Sequence, residues 1–270
     1  MEQQHEGLSQ WQALVSATQK PDLGGIRAHA IVPEGYKLHD LESLRDNPSR
    51  VKETVKVLTQ QALVGYLERF STDDSVIFAD VSNKRITGII DYHSATLPEW
   101  CSHKAVYDCP LSEAWKAWTS VDKRSMGQLE FAEFLENRIA DIAPVGEVYA
   151  GPSGAELLEM VLVFQETRKS EFKSVRRLND GTFSVAFSDE KNGSGQAALP
   201  EKIKLSIQPF HNGKHYLVEC RVRYRLRDGE LKLWVELIEP DVTIEHAFNT
   251  VVDEVSKAMP DLMVLEAVAP

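Results

Sequence analysis

The densest run of side chains able to do chemistry lies between Asp91 and Cys109. It holds Asp91, His93, Glu99, Cys101, His103, Tyr107, Asp108 and Cys109. In an extended chain, residues two apart share a face, so Asp91 stands with His93 and Cys101 with His103. Either pair offers two metal ligands, or a base and the carboxylate that orients it. On that reading Asp91, His93 and His103 are the candidate residues of a metal-assisted hydrolase. The spacing matches neither an H-E-x-x-H helix nor a C-x-x-C pair, so a structural zinc lacks its usual pattern. The same residues fit a strand end with hydrogen-bonded histidines and inert thiols. No G-x-S-x-G elbow, Walker loop or G-x-G-x-x-G occurs. Gly24-Gly25 and Gly193-Ser194-Gly195 lack the strand–turn–helix context of a phosphate cradle. No cofactor is implied, and Trp115 and Trp118, three apart on a helix, read as core or interface anchors.

A second constellation is electrostatic. From Arg168 to Lys232 there are 14 basic and 8 acidic residues, a local excess of +6 in a chain whose net charge is −11. Strand alternation sorts these charges. Tyr216, Val218, Cys220, Val222, Tyr224 and Leu226 face one way, while Glu219, Arg221, Arg223 and Arg225 face the other. Lys202 and Lys204 oppose Ile203 and Leu205, and Lys232 and Trp234 oppose Leu231, Leu233 and Val235. One face therefore builds a core. The other presents Lys202, Lys204, Arg221, Arg223, Arg225, Lys232 and Trp234 as a binding surface for nucleic acid or a protein partner. Arginine forks match phosphate oxygens and an exposed Trp can stack on a base. The same face also reads as a solvated one in which Glu219, Glu236 and Glu239 pair with the arginines, or as a face that docks acidic surface of another subunit.

The elements that must position these residues follow from periodicity and punctuation. Residues 1–47 form a lead-in containing Trp11, suited to packing on the body or on a neighbouring subunit. Asn47-Pro48 is expected to open a helix running to Phe70, with Val51, Val55, Leu58, Ala62, Tyr66 and Phe70 on one face. Strands follow at Ser75–Val81, Arg85–Tyr92 and His103–Asp108, the first two joined as a hairpin. Ser112 starts a short helix. Ser125 with Gln128, and Ser153 with Glu156, mark capping boxes for two more, the last reaching about Lys169. Ala143–Pro152 is the candidate boundary between a segment spanning 48–150 and one spanning 151–270. Strands at Phe172–Leu178, Thr182–Ser188, Lys202–Phe210, His215–Leu226 and Leu231–Glu239 make a five-stranded antiparallel meander, with Ser188–Leu199 as a loop. A helix at Thr243–Met259 and a short strand at Leu262–Val268 close the chain. The fold class is α+β: N-terminal helices with a small antiparallel sheet, then the meander with its C-terminal helix and short final strand.

Composition narrows the classes. At 270 residues, 43% hydrophobic and 26% charged, the chain has the make-up of a globular protein with a sizeable core. No apolar run approaches the length of a membrane span, and the start MEQQHEGLSQW has no basic-then-apolar leader. Three cysteines fit a reducing cytoplasm better than a disulfide framework. The net charge argues against a generic DNA-coating protein.

Four blocks carry a resemblance. FADVSNKRITGIIDYH (Phe78–His93), PLSEAWKAW (Pro110–Trp118), GQLEFAEFLE (Gly127–Glu136) and the terminal meander resemble the YfdQ family of phage and prophage proteins, over most of the chain from about Gln10. The resemblance implies an intracellular protein of temperate phages, at work in the cytoplasm of a bacterial host cell. It also implies a role in phage DNA metabolism or in handling host defences, and it carries over no catalytic residues. The expectation is a non-enzymatic accessory protein that acts as a homo-oligomer and grips a host protein or nucleic acid. The alternatives are a nucleotide or single-stranded nucleic-acid binder through the basic face, and the metal-assisted hydrolase.

Overall fold

A computed structural model describes residue 42 and residues 45–147, 149–165, 171–177, 182–189, 193–227 and 230–270. Nearly all of the expected 1–47 lead-in lies outside the described residues. Lys52–Pro270 forms one compact unit.

The first helix begins later than its apolar stripe suggests. Glu53–Val57 is a strand, β1, and only Gln60–Phe70 is helical (α1). Thr59 is the cap, its hydroxyl accepting from the Ala62 N–H at 3.1 Å. The expected helix from Asn47-Pro48 is thus corrected over its first half, and Leu58 on its stripe is 81% exposed. Glu-Thr-Val-Lys-Val alternates with β-branched residues and suits a pleated edge. There it pairs in parallel with His103–Asp108 (β4), from Glu53 opposite His103 to Val57 opposite Tyr107.

Val76–Asp80 (β2), Arg85–Ile89 (β3) and β4 form the expected antiparallel trio. Two further strands extend it: β1 beside β4, and Met263–Leu265 (β12) parallel to β2 on the other edge. Helix α1 and the last helix, Pro240–Ala258, pack one face through Leu63, Leu67, Phe248, Val251 and Val255 over Ile77, Ile86 and Ala105. Val76, Phe78 and Ile89 form a smaller cluster with Tyr92 and Leu265. Burial on both faces explains why β2 reads as the unbroken run VIFAD rather than as an alternation.

The strands of the expected meander fall into two sheets. Lys202–Ile207 (β9), Tyr216–Arg227 (β10) and Glu230–Leu237 (β11) are joined by the two-residue strand Met126–Gly127 (β5) in the order β5-β11-β10-β9. Glu171–Arg177 (β6) and Thr182–Asp189 (β7) form a second sheet with Gly193–Pro200 (β8). The β8 strand lies where a loop was expected, and its ladder with β7 runs from Asp189–Gly193 to Thr182–Pro200. Glycine and serine composition argues for a loop, but a partner strand directly upstream outweighs that local preference.

Helices Glu113–Ser120 (α2), Gln128–Asn137 (α3) and Gly154–Gln165 (α4) cover the β9–β11 sheet. Trp118, Phe131, Leu157, Val161, Leu205, Val222 and Leu233 share one cluster, so residues on both sides of Ala143–Pro152 build a common core. Within that stretch the Ala143 N–H donates to the Lys204 carbonyl at 2.8 Å. The Ser153–Glu156 capping box forms as expected, with Glu156 accepting from the Ser153 N–H and hydroxyl at 2.8 Å each. The Ser125–Gln128 box does not. Gly127 occupies the cap position without a side-chain bond, because Met126 and Gly127 are drawn into pairing with Leu233 and Lys232. The Gln128 amide nitrogen is left buried and unbonded among the described residues. The last helix, α5, starts at Pro240, with Glu239 in a left-handed conformation (φ 50°) as its cap.

Candidate functional site

The polar cluster of the first sheet is held together differently from its sequence pairing. The Asp91 carboxylate faces the turn that leads into β4. It accepts from the Ser102 N–H at 2.9 Å, the Ser102 hydroxyl at 3.0 Å and the His103 N–H at 2.8 Å. Burial pushes the Asp91 carboxyl up, but these donors outweigh it and hold the group below the ordinary carboxylate range. His103 points the other way. It is 6% exposed, and its Nε2 shares a hydrogen bond of 2.8 Å with the Tyr66 hydroxyl beside the Phe70 ring. His93 meets Cys101 instead, Nε2 to Sγ at 3.6 Å. Its Nδ1 accepts from the Glu99 N–H at 2.9 Å.

That last bond decides the chemistry of the Cys101–His93 pair. A ring whose Nδ1 accepts from a backbone N–H carries its neutral-state proton on Nε2 and has no lone pair there to deprotonate the thiol. Burial, together with the charge of Asp91, raises the Cys101 thiol above its ordinary value. An activated nucleophile requires the opposite shift. Among the described residues no three His, Cys, Asp or Glu side chains converge to hold a metal ion. Asp91, His93 and His103 therefore supply no shared ligand set there: Asp91 and His93 fix the turn between β3 and β4, and the His103 ring ties β4 to Tyr66 of α1.

The basic face is brought together as its alternation predicts. Ile203, Leu205, Val218, Cys220, Val222, Leu233 and Val235 are buried in the core. Lys202, Lys204, Arg221, Arg223, Arg225, Lys232 and Trp234 lie on the opposite face, with Glu219, Glu230 and Glu236 among them. The carboxylates organise the face. Glu236 accepts from Arg223 Nε at 3.0 Å through one oxygen and from Trp234 Nε1 at 3.0 Å through the other. The Trp234 bond, with Arg223 beside it, holds the Glu236 carboxyl below the usual range. Lys202 pairs with Glu219 at 3.4 Å, and Lys232 approaches Glu230 at 3.7 Å. Arg225 stands 5.8 Å over the Trp234 ring, a cation–π arrangement. Glu239, expected among the pairing carboxylates, instead caps α5. Leu217 shares the face and is 48% exposed. Its parity with Glu219 was the available signal, overlooked because the charged residues set the reading.

A family model described as an uncharacterized conserved protein, DUF2303, matches residues 3–265. The chain belongs to the DUF2303 family. Neither the curated proteins nor the solved structures compared with this DUF2303 chain give a match. The family description names no reaction. Among the described residues of this DUF2303 protein, no helix is long and apolar enough to cross a membrane.

Proposed function

We propose that this DUF2303 chain is a non-enzymatic accessory protein of a phage or prophage, at work in the bacterial cytoplasm. In this reading it self-associates and grips an acidic partner, protein or nucleic acid, through the open face of β9–β11. The phage assignment rests on the resemblance of the Phe78–His93, Pro110–Trp118 and Gly127–Glu136 blocks, and with it the place in phage DNA metabolism or counter-defence.

The observation that carries the interaction reading is the sign of that face. Six basic side chains stand against Glu219, Glu230 and Glu236, in a chain of net charge −11. Complementary charge steers association and fixes register. A two-fold contact of this face with itself would set like charges together, whereas contact with the acidic remainder of another copy is attractive. That geometry is head-to-tail and closes into a ring or runs on. Trp234 favours a protein surface over a stacked base: its N–H is spent on Glu236 and Arg225 covers its ring.

The test is the native mass of the purified chain with its 260/280 nm absorbance ratio, for wild type and for the Arg221→Glu/Arg225→Glu double variant. An assembly free of nucleic acid that dissociates in the variant supports self-association through this face. Bound nucleic acid that is lost with rising salt and in the variant makes the partner a polyanion. A wild-type monomer without nucleic acid, or an assembly indifferent to the double variant, overturns the reading.

A further inference from the structure

A cavity of about 470 Å³ opens beside the start of α1, within the size range of small-molecule sites. Its walls are Gln60 and Gln61 of α1, Thr250 and Glu254 of α5, and the β9–β10 turn carrying Phe210, His211 and Lys214. Tyr107 of β4 also lines it.

Two independent observations point to a ligand. The first is Tyr107 itself. It is 4% exposed, and its hydroxyl has no hydrogen-bond partner among the described residues. The other well-packed tyrosines do find partners: Tyr66 bonds His103, Tyr149 donates to the Pro152 carbonyl at 2.9 Å, and Tyr216 shares a 3.0 Å bond with Thr250. The hydroxyl is not sealed from solvent, the Gln128 amide being the buried unbonded group among the described residues, and an open donor on an otherwise buried side chain in a cavity wall marks a place for an acceptor. The second is the helix end. Thr59 satisfies only the Ala62 and Leu63 N–H groups, through its hydroxyl and carbonyl. The Gln60 and Gln61 N–H groups are left at the positive end of a helix with no acidic residue in its first turn.

The remaining polar groups have the same sign preference. Lys214 lies at the rim, held by Glu254 at 2.5 Å, and His211 adds a ring nitrogen. Glu254 is the one carboxylate of the lining; the Lys214 ammonium and the Gln60 side chain both hold it, so an incoming anion competes with it for Lys214. Phe210, Ala247 and Val251 give an apolar wall for an organic body. We propose that this cavity binds a small organic oxyanion, its charged oxygens at the Gln60 and Gln61 N–H groups, Lys214 and the Tyr107 hydroxyl, and its body against Phe210 and Val251. The site is separate from the basic sheet face and stands whether or not that face binds a partner.

The test is thermal unfolding of the full chain with ribose 5-phosphate, inorganic phosphate or succinate at millimolar concentration, against sodium chloride at matched ionic strength. The expected result is a rise in Tm with at least one of them. A response to ribose 5-phosphate and phosphate alone identifies a phosphomonoester, and a response to succinate identifies a carboxylate. Tyr107→Phe keeps the ring and should weaken binding at least tenfold by calorimetry. Gln61→Glu places a carboxylate at the helix start, which suits the helix but repels an anion, and should abolish the shift in a protein at least as stable as wild type. Absence of any shift beyond the chloride control overturns the proposal. So does a shift that survives undiminished in Gln61→Glu, a variant that remains informative even if Tyr107→Phe fails to fold.

Discussion

Arg221 sits directly across the β10–β11 ladder from Glu236, yet the Glu236 carboxylate is taken by Arg223 on the diagonal and by Trp234 on its own strand. Cross-strand neighbours on one face are the pairs expected to neutralise each other. Here the diagonal takes the hydrogen bond, and Arg221 acts on Glu236 only through space, without a side-chain bond among the described residues that would hold it back from whatever approaches the sheet. The two arginines should therefore part company. Arg223→Ala removes a half-exposed ion pair and is expected to cost about 0.5–1 kcal/mol in urea unfolding. Arg221→Ala should leave stability within about 0.5 kcal/mol while weakening self-association or partner binding in sedimentation velocity.

Asp91 is expected to act as a structural clamp. Asp91→Ala strands the Ser102 and His103 N–H groups and should cost about 2–4 kcal/mol by denaturant unfolding. His93→Ala, which removes an acceptor in an exposed loop, should cost less than half as much. Equal effects of the two would contradict the clamp.

Acid should expose the same logic. The Asp91 and Glu236 carboxyls are both held below their ordinary range in the folded chain. Their contribution is complete above the unfolded carboxylate pKa, near ~4, and is lost as pH falls through the lowered folded values. Stability should therefore decline below about pH 4, and Asp91→Ala should flatten that decline when Tm is followed from pH 7 to pH 3.

The cysteines should be sluggish. Burial raises Cys109 to about 12 and, with the charge of Asp91, raises Cys101 as well. Less thiolate at neutral pH means slower alkylation than a free thiol. Mass spectrometry after iodoacetamide at pH 7.5 should show Cys101 modified slowly, with Cys109 and Cys220 modified only after unfolding. Rapid labelling of Cys101 would point to an activated thiol after all.

Gly88 tests the packing of α1 on the first sheet. A Cβ there would lie 2.5 Å from the Leu67 side chain, which is fully buried. Gly88→Ala should cost about 1–3 kcal/mol, and pairing it with Leu67→Val should recover part of that loss.

Legibility in the sequence followed the range of the interaction. The two faces of β9–β11 could be read because alternation is local and Asn212-Gly213 marks the hairpin between β9 and β10. The Ser112 and Ser153 caps could be read for the same reason. The helix before Gln60 could not, since Glu53–Val57 carries both a helical stripe and a strand alternation. The choice between them depends on the free edge of β4, far along the chain. The β5 strand overrode the Ser125–Gln128 signal in the same way, through a partner a hundred residues on. At the candidate site the types of residue were visible but their partners were not. Asp91 binds the β4 turn and His93 meets Cys101 because the loop between β3 and β4 folds back, which spacing alone does not encode. Tyr107 was visible only as one reactive side chain among several, because its cavity is walled by three segments distant in sequence.

The placement of β12 bears on how the chain matures. The flank of β2 that it seals is VIFAD, apolar on both sides, the composition that nucleates strand-to-strand aggregation when an edge is left open. Contacts between such distant segments form slowly. On the ribosome this edge therefore stays uncapped until Met263–Leu265 has emerged, nearly two hundred residues after β2. Clipping or fusion near residue 263 is then a hazard to yield in the cell before it is a hazard to function.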